Sequence, residues 1–560
     1  MLQMFRDRDR TPRRDLVPWA GEFAGKYLIS GVQAMRLTTD AELRRHLSRF
    51  VAGLVASQGA DGYLGPFSSD QRLTGKGLWD LWGQYHCMLG LLLWHRATGD
   101  PGALAACRKA ADLFCRVFLD GKQRVVQAGS EEMNESAIHI FCLLHEETGD
   151  ARYLRMAREI ERDWQTPPSG DYVRSALSGK AFYQCAKPRW ESLPSLQAIA
   201  EFYFITGEDQ YRQAFEKMWW SICQHDRHNT GGFSSGEQAT GNPYDPRAIE
   251  TCCTIAWSAL TVDQLRLSGN PRVADELEWT FFNGVLGAQN PSGAWWTYNT
   301  PMDGERKAAA HEIVFQSRAG SPGLNCCSVN GPRGLGMLSD WAVMSANDGI
   351  VLNYYGPGRF TVRAPSGGRV VLTEGTDYPL GGRIALRIAP EKKERFVLSL
   401  RIPGWSRHSK ATVNGKAAGD LKAGTYFRLN REWKRGDVIE LDLDMSTRLW
   451  VGERECEGKV SVFHGPLLLA YDPRFDIHDP TRLPELQADI PPAAVEPSDN
   501  SILLLRFAGR GGQGVTLCDF ASAGMAGNRY VSWLAARGLK PVPFSEQDPL
   551  RAAWPDGLRR

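Results

Sequence analysis

The chain has 560 residues, of which 42% are apolar and 23% are charged, and its net charge is +2. This length is too great for one compact core and predicts roughly two to four domains. The near-neutral charge gives no reason to expect nucleic acid or an anionic membrane as a partner, and no apolar run approaches the ~20 residues that span a bilayer.

The first residues, MLQMFRDR, are charged and contain neither an apolar core nor a small-residue cleavage site. They predict no secretory signal, although removal of a signal ahead of this sequence stays open. The 12 cysteines are too sparse for a disulfide scaffold, and several fall within apolar helical patterns. We therefore expect a reduced, cytoplasmic protein with buried thiols such as Cys107, Cys115 and Cys142.

A weak repeat organises the first 350 residues. Each copy is an apolar helical stretch that ends in a turn of Thr or Ser, then Gly, then an acid or amide. The copies are LLWHRATGD at 92–100, LLHEETGD at 143–150, YFITGE at 203–208 and QLRLSGN at 264–270. A period of about 50 to 60 residues indicates stacked helical hairpins. About six of them fit in residues 1–348, which predicts an all-α (α/α)6 toroid with a central funnel as the catalytic domain; an open solenoid is the alternative.

From residue 349 the pattern changes to short alternating apolar runs. They include IVLNYY at 350–355, RVVL at 369–372, RIALRI at 383–388 and FVLSLRI at 396–402, followed by a hairpin signal, VNGK, at 413–416. This spacing predicts an all-β sandwich over 349–475. Residues 476–560 are expected to form a Pro- and acid-rich linker and a C-terminal β-rich segment.

Two adjacent-cysteine pairs, Cys252–Cys253 and Cys326–Cys327, indicate a chemical centre, because random placement would give fewer than one such pair. The first pair follows Glu250 and precedes a helical pattern. Glu250, Cys252, Cys326 and Cys327 together supply a tetrahedral set of ligands that suits Zn²⁺. Cys253 could replace Cys252 in that set, and buried thiols with incidental neighbours are the alternative to a metal site.

A glycine-rich loop, GGFSSGE, ends in Glu237. Such a loop allows close approach of a ligand, and Glu237 is a candidate general acid/base; a solvated loop glutamate is the alternative. His86 sits beside aromatic residues on a predicted inner helix, where a histidine satisfied within the core is the common case.

These motifs, in this order, resemble glycoside hydrolase family 127, the β-L-arabinofuranosidase group. The resemblance covers about residues 20–470. The segments that carry it are QGADGYL at 58–64, YH at 85–86, MNE at 133–135, GGFSSGE at 231–237, ETC at 250–252, WTYNTP at 296–301, NCCSVNG at 325–331 and, more loosely, RIPGW at 401–405.

The resemblance implies a retaining exo-glycosidase with an (α/α)6 barrel, β-sandwich domains and one zinc ion. It implies that Glu250, Cys252 and Cys327 hold the zinc, and that Cys326 is both a ligand and the nucleophile. Glu237 would protonate the leaving oxygen and then activate water. The substrate-binding residues expected from the matched segments are Tyr85, His86, Glu132, Asn134, Arg189 and Tyr298.

The chain departs from the family at residues 129–132 and 187–191, where many members carry sugar-binding histidines. In this respect it is similar to a divergent branch that includes hydrolases of the carboxylated branched sugar aceric acid from pectin. Lys187, Arg189 or Arg247 could pair with a substrate carboxylate; ordinary surface charge is the alternative.

Three functions therefore stay open. The first is hydrolysis of a β-L-arabinofuranoside or a related plant-type or carboxylated sugar. The second is a lyase or epimerase on the same toroid, and the third is a non-catalytic sugar-binding protein with a structural zinc. The expected partner is a small carbohydrate or oligosaccharide, with no nucleic acid and no membrane, and a homodimer is considered possible.

Overall fold

A computed structural model describes residues 1–12, 17–316, 323–487, 490–497, 501–536 and 539. Helices fill the first part of the chain and strands the remainder. The helices α1 to α17 are Leu2–Arg6, Ala20–Leu37, Ala41–Ala56, Asp80–Thr98, Pro101–Phe114, Glu131–Glu135, Ile138–Thr148, Ala151–Asp163, Tyr172–Leu177, Leu193–Thr206, Asp209–His225, Thr251–Ser268, Pro271–Trp279, Leu286–Ala288, Ala309–Glu312, Cys326–Gly336 and Leu338–Trp341. The strands β1 to β19 are Ile249–Glu250, Asn299–Thr300, Val343–Ala346, Gly349–Leu352, Gly358–Arg363, Arg369–Thr376, Arg383–Pro390, Glu394–Ile402, Lys410–Val413, Lys416–Ala417, Thr425–Trp433, Asp437–Asp442, Thr447–Val451, Lys459–His464, Leu467–Tyr471, Ala493–Val495, Leu504–Ala508, Gly514–Asp519 and Leu534–Ala535.

Six helices form a closed inner ring. The order around the ring is α2, α4, α7, α10, α12 and α16, and α16 packs back against α2. The helices α3, α5, α8, α11 and α13 connect successive members of the ring and pack outside it. Closure of the ring confirms the predicted (α/α)6 toroid and excludes an open solenoid.

The repeated turns end the inner helices as their composition predicts. Gly99, Gly149, Gly207 and Gly269 each follow an inner helix with a left-handed φ between 56° and 77°. A residue with a Cβ would be strained in this conformation. After the first of these turns, the side chain of Asp100 accepts hydrogen bonds from the next helix and caps its N-terminus.

A β-sandwich follows the barrel, as predicted. Its six-stranded sheet has the order β10-β9-β12-β7-β6-β5, and its four-stranded sheet has the order β11-β8-β4-β3. Alternating residues of β6 and β7 are buried, and Leu372, Ile388 and Leu398 meet in one apolar core between the sheets. The predicted hairpin turn forms at Asn414 and Gly415, which both have positive φ.

A third sheet uses strands from both sides of residue 475. Its order is β13-β14-β15-β18-β17-β16, with β19 paired to β14. The predicted boundary at 475 falls inside this sheet, because β15 at 467–471 pairs with β18 at 514–519. Pairing between strands that are distant in sequence leaves no local pattern, so the alternating runs did not reveal it.

A buried ion network joins the barrel to the sandwich. The Arg401 guanidinium, on β8, donates to Asp275 Oδ1 at 2.5 Å and to Glu278 Oε1 at 2.5 Å, both on α13. Tyr378 also donates to Glu278, and the Gly404 amide donates to Asp275. The RIPGW segment at 401–405 therefore contributes hydrogen bonds that join the β-sandwich to the barrel.

Arg401→Ala is expected to lower the free energy of unfolding by about 3–5 kcal/mol, because Asp275 and Glu278 would stay buried without a cation. Urea titration followed by tryptophan fluorescence measures the change. The matched control is Arg428→Ala, which removes an ion pair to Asp348 whose side chains are 57% and 51% exposed, and which should cost about 1 kcal/mol or less. Equal losses in the two variants would contradict the interpretation.

All 12 cysteines are free thiols. Among the described residues, no helix is both long enough and apolar enough to cross a bilayer.

Candidate active site

The N-terminal ends of two inner helices, α12 and α16, bring four predicted ligands together at one end of the barrel. Glu250 ends the short strand β1 and precedes α12, and Cys252 lies in the first turn of that helix. Cys326 and Cys327 begin α16, the next helix of the ring. One oxygen and three sulfur atoms of these residues all lie within 4.8 Å of one another, and all four residues are buried.

The distances within the cluster fit separate ligands around one ion. Cys327 Sγ lies 3.6 Å from Cys252 Sγ, 3.8 Å from Cys326 Sγ and 3.5 Å from Glu250 Oε1. Cys326 Sγ lies 3.9 Å from the same carboxylate oxygen. These sulfur separations exceed a disulfide bond by more than an ångström, whereas thiolates that share one tetrahedral metal are separated by about this much.

Cys253 lies outside the cluster. Its thiol donates to the other carboxylate oxygen, Glu250 Oε2, at 3.3 Å and contacts Ser234 Oγ at 3.8 Å. Cys252 Sγ lies 3.6 Å from Cys327 Sγ, so Cys252 is the member of the pair that faces the other cysteines. The geometry selects Cys252.

In their ionised forms, the carboxylate and thiolates of the cluster would need a cation to offset their negative charge. Burial, followed by the neighbouring Cys252 sulfur, raises the pKa of the Glu250 carboxyl well above its ordinary value. Burial alone raises the pKa of Cys252, but hydrogen bonds from Cys326 and Cys327, together with the Lys26 ammonium, bring that pKa well below its ordinary value. Three sulfurs and a carboxylate cannot all be ionised in so small a buried volume unless a metal ion offsets their charge. The donor set therefore fits a divalent metal ion.

Lys26 is a member of this site that the sequence analysis missed. It is buried on α2, and its Nζ lies 3.6 Å from Cys252 Sγ, 2.6 Å from Glu22 Oε1 and 4.5 Å from the centre of the Trp190 ring. The sequence did show that Glu22 and Lys26 lie one helical turn apart, which is the spacing of an ion pair on one helix face. Their closeness to a cysteine 226 residues away was not visible in the sequence.

Glu237 is held in place at the partly exposed rim above the buried cluster. Its Oε1 accepts a hydrogen bond from the Tyr298 hydroxyl at 2.6 Å, and its Oε2 accepts one from Arg189 at 3.0 Å. Glu237 itself has a left-handed φ of 69°, a conformation that costs energy in a non-glycine residue and marks a constrained position. Its side chain is 33% exposed, so it can meet a ligand.

Tyr298 links Glu237 to the cluster. Burial, then the charges of Glu250 and Cys326, raise the pKa of its phenol far above the ordinary value, so it stays a donor. The carbonyl of Tyr298 accepts from the Thr251 amide at 2.8 Å, which ties it to the start of α12. Tyr298 stays a predicted ligand contact.

Arg189 is surrounded by carboxylates. It donates to both oxygens of Glu191 at 3.0 Å and 2.9 Å and to Glu237, and its Nε lies 3.7 Å from Glu132. Glu132 also lies 3.3 Å from Lys187. Glu191 was missed by the sequence analysis; burial raises its pKa to about 7 against the opposing effect of Arg189.

Tyr85 and His86 lie on α4 beneath the rim. Tyr85 is 1% exposed and its hydroxyl bonds His139 Nδ1 at 3.1 Å, while His86 is 3% exposed and its Nδ1 bonds the Trp82 carbonyl at 2.9 Å. Burial, followed by Lys26, lowers the pKa of His86 well below its ordinary value, so this ring is neutral. Both residues stay predicted ligand contacts.

Asn134 is hydrogen-bonded to the backbone and stays a predicted ligand contact. It is fully buried; its amide oxygen accepts from the Trp82 amide at 3.1 Å and its nitrogen donates to the carbonyls of Gly129 and Ala128. These bonds fasten the loop before α6 to the start of α4. The backbone therefore occupies the amide that was expected to meet substrate.

The strand that pairs with β1 is fixed from outside the barrel. β1 pairs with β2, placing Asn299 opposite Glu250. The turn after β2 is bonded to the C-terminal sheet: the amides and carbonyls of Gly304 and Tyr530 exchange hydrogen bonds, and Asp303 accepts from the Ser532 amide at 2.7 Å. Arg306 donates to the carbonyl of Ala521 at 3.0 Å.

The family profile described as β-L-arabinofuranosidase, GH127 catalytic domain, matches residues 10–340, and the GH127 middle-domain profile matches residues 349–445. The chain belongs to glycoside hydrolase family 127. It is a glycosidase. No curated protein sequence is a significant match.

Solved structures of family 127 share this fold. A GH127 β-L-arabinofuranosidase from Geobacillus stearothermophilus T6 has 20% sequence identity and a TM-score of 0.79, with 96% of this chain and 94% of that chain covered. A second GH127 β-arabinofuranosidase has 21% identity and a TM-score of 0.78, with 96% and 91% covered. A protein titled glycoside hydrolase has 23% identity and a TM-score of 0.75, with 96% and 95% covered.

Proposed function

We propose that this family 127 member is a retaining exo-glycosidase that uses Cys326 as its nucleophile, holds a zinc ion and cleaves a β-L-arabinofuranoside or a related neutral furanoside. The observation that carries the proposal is the convergence of Glu250, Cys252, Cys326 and Cys327 within 4.8 Å, beneath a positioned Glu237. The titles of two structural relatives, which name arabinofuranosidases, support the substrate class.

Glu250, Cys252 and Cys327 would hold the zinc ion together with Cys326. Three sulfurs and one carboxylate oxygen form a donor set that zinc accepts in tetrahedral geometry. Bound zinc would keep the Cys326 sulfur ionised at neutral pH.

The chain's own residues then account for two displacements at the anomeric carbon. Cys326 Sγ attacks that carbon while the bond to the leaving oxygen breaks, and Glu237 gives its proton to this oxygen. In the second step a water loses a proton to the Glu237 carboxylate and attacks the same carbon, and the carbon–sulfur bond breaks to return the Cys326 thiolate. Each step inverts the centre, so the product retains the starting configuration.

Arg189 and Tyr298 hold Glu237 in line for both steps. Each donates to a different carboxyl oxygen, which fixes the rotation of the group. Positioned proton transfer of this kind contributes about 10²–10⁴-fold to rate. Tyr298 and Arg189 are therefore positioning groups for Glu237 in this proposal.

The charges at the rim favour a neutral sugar over a carboxylated one. Lys187 is paired with Glu131 and Glu132, Arg189 with Glu191 and Glu237, and Arg247 with Asp245 at 2.6 Å. A substrate carboxylate would have to displace one of these partners. Recognition of an aceric-acid-like sugar therefore has less support than recognition of an arabinofuranoside.

The test is incubation of the zinc-loaded protein with p-nitrophenyl β-L-arabinofuranoside in water containing methanol. We expect release of p-nitrophenol and, by proton NMR, a methyl furanoside of unchanged anomeric configuration. The methyl product with inverted configuration would contradict the two-step route. With a uronate-containing oligosaccharide, a product absorbing in the near ultraviolet through a 4,5-double bond would indicate a lyase. Binding of a sugar without any turnover would indicate a sugar-binding protein.

Metal content distinguishes the two members of the first cysteine pair. Cys252→Ser should lower the zinc retained after dialysis to well below one ion per chain, because a ligand is lost. Cys253→Ser is the matched control and should retain close to one ion per chain. In the wild type the Cys253 sulfur contacts Glu250 Oε2, which lies on the side of the carboxylate away from the cluster. Elemental analysis of both variants beside the wild type gives the result. Loss of zinc from Cys253→Ser alone would show that Cys253, and not Cys252, is the zinc ligand.

A further inference from the structure

A second cavity of about 260 Å³ opens at the opposite end of the barrel. Most of its wall residues lie in the C-terminal halves of the inner helices, whereas His139 and Gln197 lie nearer the starts of α7 and α10. We call it the far-end cavity; its polar lining includes His139, Glu146, Glu201, Asp263, Arg266 and Arg333. Its volume lies a little below the ~300–1,000 Å³ of pockets for drug-sized ligands, so an occupant would be small.

The far-end cavity is separate from the active site. On α12, Asp263 follows Cys252 by 11 residues, which is about 16 Å along a helix axis. The buried side chains of Tyr85 and His139 hydrogen-bond to each other, and His139 lines the far-end cavity whereas Tyr85 does not. None of the residues in the cysteine cluster lines the far-end cavity.

Part of the charge in the far-end cavity is neutralised internally. Arg266 donates to Glu201 Oε1 and to Asp263 Oδ1, each at 2.8 Å. Gln197 donates to the other oxygen of Asp263 at 2.7 Å. These bonds fix one wall as a rigid polar surface.

Two groups of opposite charge remain without a partner among the described residues. Arg333, on α16, makes no ion pair, and its Nε is buried without a hydrogen bond. Glu146, on α7, lines the cavity with an exposed side chain and makes no hydrogen bond or ion pair among the described residues. In addition, Glu201 is 1% exposed and its Oε2 is a buried acceptor with no donor.

It is costly to leave the buried Arg333 Nε and Glu201 Oε2 without hydrogen-bond partners, and these two groups carry opposite charges. A carboxylate would pair with the Arg333 guanidinium, and a hydroxyl or ammonium group would donate to Glu146 and to Glu201 Oε2. A metal ion alone would not satisfy Arg333, and among the described residues the only group with metal-ligand spacing is the cysteine cluster.

We propose that the far-end cavity binds a small carboxylate that also carries hydrogen-bond donors, either an α-amino acid or a hydroxy acid. The proposal does not depend on the hydrolytic mechanism. It assigns a second ligand site to the chain, on the barrel axis but remote from Cys326.

Isothermal titration calorimetry with four probes tests the proposal. L-serine and D-glycerate each carry a carboxylate and donors, whereas propionate carries only the carboxylate and ethanolamine only the donors. We expect serine or glycerate to bind more tightly than either single-function probe, and the tighter of the two tells whether ammonium or hydroxyl is preferred. Failure of both to bind with a dissociation constant below about 10 mM would overturn the proposal.

Variants locate the binding. Arg333→Gln and Glu146→Gln should each weaken the tighter probe by about tenfold or more, the loss expected for one charge-assisted hydrogen bond. Cys326→Ser should leave this binding unchanged, which separates the far-end cavity from the active site. If Arg333→Gln does not fold, Glu146→Gln still tests whether the probe binds in the far-end cavity. Unchanged affinity in a folded Glu146→Gln variant, or loss of binding in Cys326→Ser, would refute the location.

Discussion

Cys326→Ser should lower kcat on an aryl β-L-arabinofuranoside by roughly 10⁴-fold or more, the scale seen when a covalent nucleophile is removed. A serine hydroxyl is not ionised at neutral pH and is a poor nucleophile without a base beside it. The buried cluster offers no such base, since its other members are held as ligands in the proposed site. Release of p-nitrophenol, followed for hours, measures the residual rate.

The matched control for this variant is Cys456→Ser, which removes another buried thiol from the C-terminal sheet region. It should keep nearly full activity. Circular dichroism on both variants checks that the barrel stays folded. Undiminished sugar release by a folded Cys326→Ser protein would rule out this sulfur as the nucleophile.

Glu237→Gln should lower kcat by about 10²–10⁴-fold on a substrate whose leaving group is a sugar or alkyl alcohol. The amide cannot donate the proton that such a leaving oxygen needs. With a dinitrophenyl leaving group, which departs without protonation, the first step should proceed and the second should stall for lack of a base. The variant would then accumulate a pentosyl adduct that peptide mass spectrometry finds on Cys326.

Azide gives a sharper check of the same residue, because it attacks the anomeric carbon without needing a base. Added azide should restore turnover of the dinitrophenyl substrate by Glu237→Gln and yield a glycosyl azide. Glu305→Gln, an exposed glutamate, is the control and should show neither the slow step nor the rescue. An adduct on any residue except Cys326 would reassign the nucleophile.

The barrel was predictable because its signals are local. Four of the six inner helices end at a glycine, such as Gly99, in a left-handed conformation, and a few adjacent residues are enough to reveal this requirement. The β-sandwich was predictable for the same reason, through alternation and the Asn414–Gly415 turn. The division at residue 475 failed because the third sheet pairs strands separated by more than 40 residues.

The candidate site was predictable in its residue types and only partly in its geometry. Adjacent cysteines after Glu250 indicated a metal ligand, but the choice between Cys252 and Cys253 depended on the direction in which α12 points. Lys26 and Glu191 were missed because a charge in an apolar helix gives no sign of its distant partner. The hydrogen bonds of Asn134 to the backbone were not predictable either, because a polar residue in a matched motif can bond the backbone as well as a ligand.

The bonds between the turn after β2 and the C-terminal sheet set the order in which this enzyme matures. The strand beside Glu250 is anchored through Asp303 and Gly304 to residues 530–532. During synthesis, all four cluster residues leave the ribosome well before that anchor does. A nascent chain therefore exposes the three thiols of the cluster before the contacts that support the neighbouring strand can form.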